Sequence, residues 1–92
     1  MTLTTTVVNK YREPFDVYCG RPSVFGNPFA IGRDGSREQV IEKYRHYFYF
    51  KLNSVPGFKA QVLRLQGKRL GCYCKPQACH CDVIAEYLNN LP

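Results

Sequence analysis

The chain contains no block of consecutive lysines or arginines, no long apolar run, no internal repeat and no low-complexity segment. Each absence removes a class of function. Without a basic block there is no tail to grip a nucleic-acid backbone, so duplex DNA is not an expected partner. The longest apolar run falls far short of the ~20 residues that a membrane-spanning helix needs, and no membrane partner is expected. The opening M-T-L-T-T-T-V-V has neither the basic start nor the apolar core of a signal peptide, which points to the cytoplasm. In that reducing compartment an odd count of five cysteines does not read as a disulfide framework.

The 92 residues are expected to form one domain over 1–92. A chain this short buries only roughly 60–65% of its unfolded surface, so its stability margin is thin. Oligomerisation, a metal or a bound ligand would each widen it. Thirteen Lys and Arg against seven Asp and Glu give a formal charge of +6. The basic residues are dispersed, an arrangement that suits a small phosphate-bearing ligand better than a duplex.

Residues 4–9 (T-T-T-V-V-N) are rich in β-branched side chains and read as a strand. Phe15, Val17 and Cys19 alternate with Asp16 and Tyr18, the period of a second strand. Ser36 can cap a helix while Gln39 reaches back to it, and Val40, Ile41, Tyr44 and Phe48 recur at helical spacing. Val55-Pro56-Gly57 breaks the chain; Phe58, Val62 and Leu65 mark a short second helix. Residues 69–74 form a third strand, and Val83, Ile84, Tyr87, Leu88 and Leu91 give a last helix one apolar face. The order β-β-α-α-β-α predicts a small α/β layer sandwich. Tyr47-Phe48-Tyr49-Phe50 spans about 300° of its helix. One core cannot take all four rings, which points to a homo-oligomer.

Residues 72–82, C-Y-C-K-P-Q-A-C-H-C-D, hold most of the chemistry. Zinc sites favour C-x2-4-C pairs, whereas Cys72 and Cys74, two apart on a strand, stand almost ~7 Å apart. Cys79 and His80, adjacent on a helix, would point about 100° apart. No metal and no cofactor is expected on that spacing, with a zinc-stabilised interaction module as the third reading. Cys79 in a first helical turn would favour a thiolate, with His80 as base and Asp82 as orienter. That is the catalytic set if the protein is a hydrolase or transferase. Buried packing of small thiols accounts for part of the cluster on any reading.

The third strand also runs into a helix N-terminus, where α/β folds hold anionic ligands. Its partner is the loop G-R-P-S-V-F-G-N-P-F at 20–29, stiffened by Pro22 and Pro28. Arg21 suits a phosphate, Phe25 could stack on a base, and Asn27 could meet a base edge or ribose. The expected ligand-binding set is Lys10, Tyr18, Arg21, Ser23, Phe25, Asn27, Cys74, Lys75, Cys79, His80 and Asp82.

The whole pattern resembles a small domain-of-unknown-function family found in phages and bacteria. Its signature is V-V-N-K-x-x-x-x-x-D-V-Y-x-G-R-x-S-x-[WF]-G-N-P-F, a helix, then G-K-x-L-x-C-[WY]-C-x-P-x-x-C-H-G-D. The matches include Val7-Val8-Asn9-Lys10, Asp16-Val17-Tyr18, Gly20-Arg21, Phe25-Gly26-Asn27-Pro28-Phe29, Gly67-Lys68 and Cys79-His80. Cys81 stands where glycine is usual, Phe25 where tryptophan is common, and Cys19 where an aliphatic residue is frequent. The family brings no established activity, but similar proteins sit among nucleotide-handling and phage–host conflict genes. The resemblance therefore implies a nucleotide-binding protein that sequesters a phosphorylated ligand, such as a host cyclic nucleotide immune signal. If phage-encoded, it would act in the host cytoplasm.

Overall fold

The computed structural model describes residues 4–21, 23–73, 75 and 77–91. Strands β1 (Thr6–Asn9), β2 (Val17–Tyr18) and β3 (Arg69–Cys72) and helices α1 (Arg37–Ser54), α2 (Phe58–Leu63) and α3 (Cys81–Asn89) follow in the order β-β-α-α-β-α. This is a small α/β fold. The sheet order is β1-β3-β2, and both outer strands run parallel to β3. All three strands therefore end at the same edge.

β3 is central, and its Leu70, Gly71 and Cys72 are all buried, as a doubly covered parallel strand requires. Leu70 and Cys72 face the helices, joining a core with Tyr44, Phe48, Val62, Val83, Ile84 and Leu88. Gly71 faces the other way, under the segment 10–16 that crosses from β1 to β2. A Cβ on Gly71 would stand 2.7 Å from the Phe15 ring, so glycine is what lets this strap lie flat on the sheet. Phe15 is thus a cover for Gly71 and falls outside β2, which is shorter than its alternating pattern suggests.

Asp16 anchors the strap. Its Oδ2 accepts from the Arg69 backbone N–H at 2.8 Å and from Nε at 3.2 Å, while Oδ1 accepts from Nη2 at 3.1 Å. Those bonds to Arg69 hold its carboxyl down at about 2. A depressed carboxylate contributes stability that is complete above its ordinary range of about 3.9 and lost as pH falls through about 2. A carbon-13 titration of the Asp16 carboxyl should give a midpoint near 2. A midpoint near ~4 would mean the clamp does not hold in solution.

The capping box of α1 forms as its sequence requires: Ser36 Oγ accepts from the Gln39 N–H, and Gln39 Oε1 accepts from the Ser36 N–H. Val40, Tyr44 and Phe48 line the buried side of α1. Tyr47 is half-buried, its ring 6.0 Å from Tyr44 and 6.1 Å from Phe29, while Tyr49 and Phe50 are 40% and 64% exposed. Among the described residues no helix is long and apolar enough to cross a membrane.

Candidate functional site

At the edge where the strands end, the loop after β2, the start of α1 and the segment joining β3 to α3 enclose a cavity of about 370 Å³. Arg21, Asn27, Phe29 and Ile31 come from the loop, Arg37 from α1, and Cys72, Tyr73, Gln77, Cys79 and His80 from the β3 side. The volume lies near the lower end of the ~300–1,000 Å³ typical of small-molecule sites. Two arginines in its lining, Arg21 and Arg37, give it a cationic character.

Local structure explains each position. Arg21 packs its backbone against Gly26, where a Cβ would come within 3.0 Å of it. The Tyr18 hydroxyl donates to the Arg21 carbonyl at 3.0 Å, and Lys10 Nζ sits 4.4 Å from the Tyr18 ring centroid. Lys10 and Tyr18 thus form a layer behind Arg21, outside the cavity lining. Asn27 does line the cavity, but both halves of its amide are engaged. Nδ2 donates to the Val40 carbonyl at 3.2 Å and Oδ1 accepts from the Phe29 N–H at 2.9 Å, pinning the loop onto α1.

Phe25 is turned inward and 8% exposed, its ring 6.2 Å from Phe58, so it supports the loop from the core side. Ser23 accepts from the Phe25 N–H at 3.3 Å, in the turn beside it. The exposed ring at the cavity is Tyr73, half-accessible just past the end of β3. Arg37 Nη1 donates to the Ala78 carbonyl at 3.1 Å, bridging the two walls. Neither was singled out in the sequence. Tyr73 was visible as the residue following β3, a position that faces the crevice in parallel sheets; Arg37 carries no pattern of its own.

Cys79 and His80 precede α3, which begins at Cys81, so Cys79 lies ahead of the first helical turn. His80 Nε2 donates to the Cys19 carbonyl at 2.8 Å, since a carbonyl can only accept. This fixes the tautomer with Nδ1 bare and directed at Cys79 Sγ, 3.7 Å away. Burial pushes the His80 imidazole below its ordinary range, favouring the neutral ring. Cys79 is 2% exposed, and its contact with the Cys72 thiol together with burial pushes its own thiol well up. A buried thiol is a weak nucleophile.

Asp82 Oδ2 accepts from the Cys79 N–H at 3.0 Å, and Oδ1 pairs with Lys75 Nζ at 2.7 Å. Asp82 therefore occupies the α3 N-terminus as its anionic complement and does not orient His80. Lys75 lines a shallower depression with Val7, Asn9, Arg12 and Glu13. Of the expected ligand set, the fold brings Arg21, Asn27, Cys79 and His80 together at the cavity. Cys74 lies outside the described residues, as do Pro22 and Pro76.

Comparison with known proteins gives two matches. The model of a family described as "Domain of unknown function (DUF4326)" matches residues 5–90. An "Uncharacterized 12.4 kDa protein in nrdA-td intergenic region" of Enterobacteria phage T4 is 45% identical over 86 residues, covering 92% of this chain and 78% of the phage protein. No solved structure matches.

Proposed function

The chain belongs to the DUF4326 family, and from that premise we propose that it is a small-ligand binding protein whose cavity takes a phosphorylated nucleotide and holds it unchanged. The observation that carries this reading is the placing of Arg21 and Arg37 with the Tyr73 ring around one cavity of about 370 Å³. Guanidinium groups supply charge-assisted bonds for phosphate. The half-exposed Tyr73 ring supplies a stacking face for the base. The cavity's position beyond the carboxyl edge of a parallel sheet, beside a helix start, is where α/β folds hold such ligands. Its size favours one nucleotide unit, and a cyclic dinucleotide would need a second copy of the protein to complete the site.

Sequestration is favoured over turnover by the state of the cysteine cluster. Cys79 is buried, and Asp82 is committed to Lys75 and the Cys79 N–H. The Cys79–His80–Asp82 set therefore lacks the activated sulfur that nucleophilic catalysis needs. Titration calorimetry with nucleoside phosphates, followed by chromatography after denaturation, tests both halves. Binding with intact recovery is the expected result. Conversion to product would replace sequestration by the hydrolase reading, and no binding by any phosphate-bearing nucleotide would remove both.

A homo-oligomer is part of the same proposal. Tyr49 and Phe50 stand exposed on α1 beside Tyr87, whose ring lies 5.9 Å from Tyr49. Phe50→Glu would place a charge in a contact between copies, at a cost of several kcal/mol where it is desolvated. Sedimentation velocity should then show a dimeric parent and a monomeric variant. A parent that sediments as a monomer would end the oligomer proposal.

A further inference from the structure

Four cysteines from three parts of the chain meet in the core beside the cavity, which Cys72 and Cys79 line. Cys19, Cys72, Cys79 and Cys81 are each no more than 2% exposed. The Cys79 thiol interacts with those of Cys72 and Cys81, and the Cys81 thiol also with those of Cys72 and Cys19. Cys72, Cys79 and Cys81 are thus mutual neighbours. His80 sits against them, with Nδ1 3.7 Å from Cys79 Sγ and Nε2 3.7 Å from Cys81 Sγ. One ligand atom each from Cys79, His80 and Cys81 lie within 4.8 Å of one another.

We propose that Cys79, Cys81 and His80 through its bare Nδ1, whose ligand atoms can reach one ion, together with Cys72, whose thiol neighbours both cysteines, are the ligands of a single Zn²⁺ ion. The ligand atoms of Cys79, His80 and Cys81, all within 4.8 Å of one another, lie near the separations one ion imposes. With Zn–S of about 2.3 Å and Zn–N of about 2.0 Å, tetrahedral ligands stand about 3.8 Å (S to S) and about 3.5 Å (S to N) apart. An iron–sulfur cluster would hold its cysteines further apart, because bridging sulfides separate the irons.

The surroundings are those of a metal-bound imidazole. Such a ring donates its second N–H to a carbonyl or carboxylate, which fixes the tautomer. His80 Nε2 does this to the Cys19 carbonyl at 2.8 Å. The Cys19 thiol itself donates to the Val17 carbonyl at 3.8 Å. Cys19 is therefore a positioning residue: its carbonyl aims the imidazole and its sulfur stays a thiol.

The spacing objections lose their force in this fold. The third sulfur comes from Cys81 instead of a strand neighbour of Cys72. Because Cys79 and His80 precede α3, helical geometry does not splay them. Binding three thiols as thiolates releases three protons to the solvent, with no redox change. With four protein ligands the site is closed, and its role is structural: it ties β3 to the start of α3 in a chain with a thin stability margin. The inference stands without the nucleotide reading, because metal content and ligand binding are measured separately.

The test is metal analysis and native mass spectrometry of the full chain purified from zinc-supplemented culture, together with Co²⁺ replacement. One equivalent of zinc is expected, and the Co²⁺ form should show thiolate-to-metal charge-transfer bands with the d–d absorption of a tetrahedral ion. Cys81→Ser should lose the metal, whereas Cys19→Ser should retain it. A folded, reduced wild-type protein that carries no zinc and gives no such bands with Co²⁺ would overturn the proposal, and this readout needs no variant. Metal retained by His80→Ala but lost by Cys19→Ser would overturn the assignment of ligands.

Discussion

Replacing both Arg21 and Arg37 with alanine is expected to weaken nucleoside phosphate binding by about 10²–10⁴-fold. Each guanidinium that pairs with a phosphate in a partly desolvated cavity contributes about 1.5–3 kcal/mol. Every 1.4 kcal/mol is tenfold in affinity, which gives that range for the pair. The two residues also differ. Arg21 is exposed and held through its backbone by Tyr18 and Gly26, so Arg21→Ala should leave the fold intact. Arg37 also donates to the Ala78 carbonyl, so its loss frees the wall that carries Gln77 to His80. Calorimetry of the two single variants and the double, with thermal melts alongside, separates these effects. Affinity unchanged in the double variant would place the phosphate elsewhere.

Phe48→Ala should be the most damaging core substitution, at about 3–5 kcal/mol. Phe48 is fully buried, with ring centroids of Tyr44, Phe58 and Tyr87 all within 6.0 Å. Removing it empties the junction of α1, α2 and α3. A chain of 92 residues has a total stability of about 5–14 kcal/mol, so the loss takes a large share. The melting midpoint should fall by about 12 °C or more. Tyr11→Ala, at a site 77% exposed, should stay within about 0.5 kcal/mol of the parent. Equal melting of Phe48→Ala and the parent would contradict the packing described here.

The elements were legible wherever one local rule acted alone. Ser36 and Gln39 announce α1 because a capping box needs only four consecutive residues. Val83, Ile84 and Leu88 announce α3 by period. The convergence of the 20–29 loop on the end of β3 could also be read, since parallel strands put their carboxyl ends on one edge. Direction at single residues could not. Phe25 and Tyr73 are both aromatic residues beside glycine or cysteine, yet the packing of Phe58 against Phe25 draws one into the core and leaves the other at the cavity. Phe15 fits an alternating strand, but the absence of a side chain on Gly71 makes a seat for it over the sheet. Cys19 gave no signal of its own because it lies far from the cysteine cluster in sequence; only the fold brings it to Cys81.

The central claim, that the cavity holds a phosphorylated nucleotide intact, is tested most directly by what the protein carries out of a cell. The chain and its Arg21→Ala/Arg37→Ala variant would be purified in parallel, heat-denatured, and the released small molecules identified by mass spectrometry. A phosphate-bearing nucleotide released in near-stoichiometric amount by the parent and missing from the variant is the predicted result. Release of no nucleotide by the parent, or of the same nucleotide in the same amount by the variant, would contradict it.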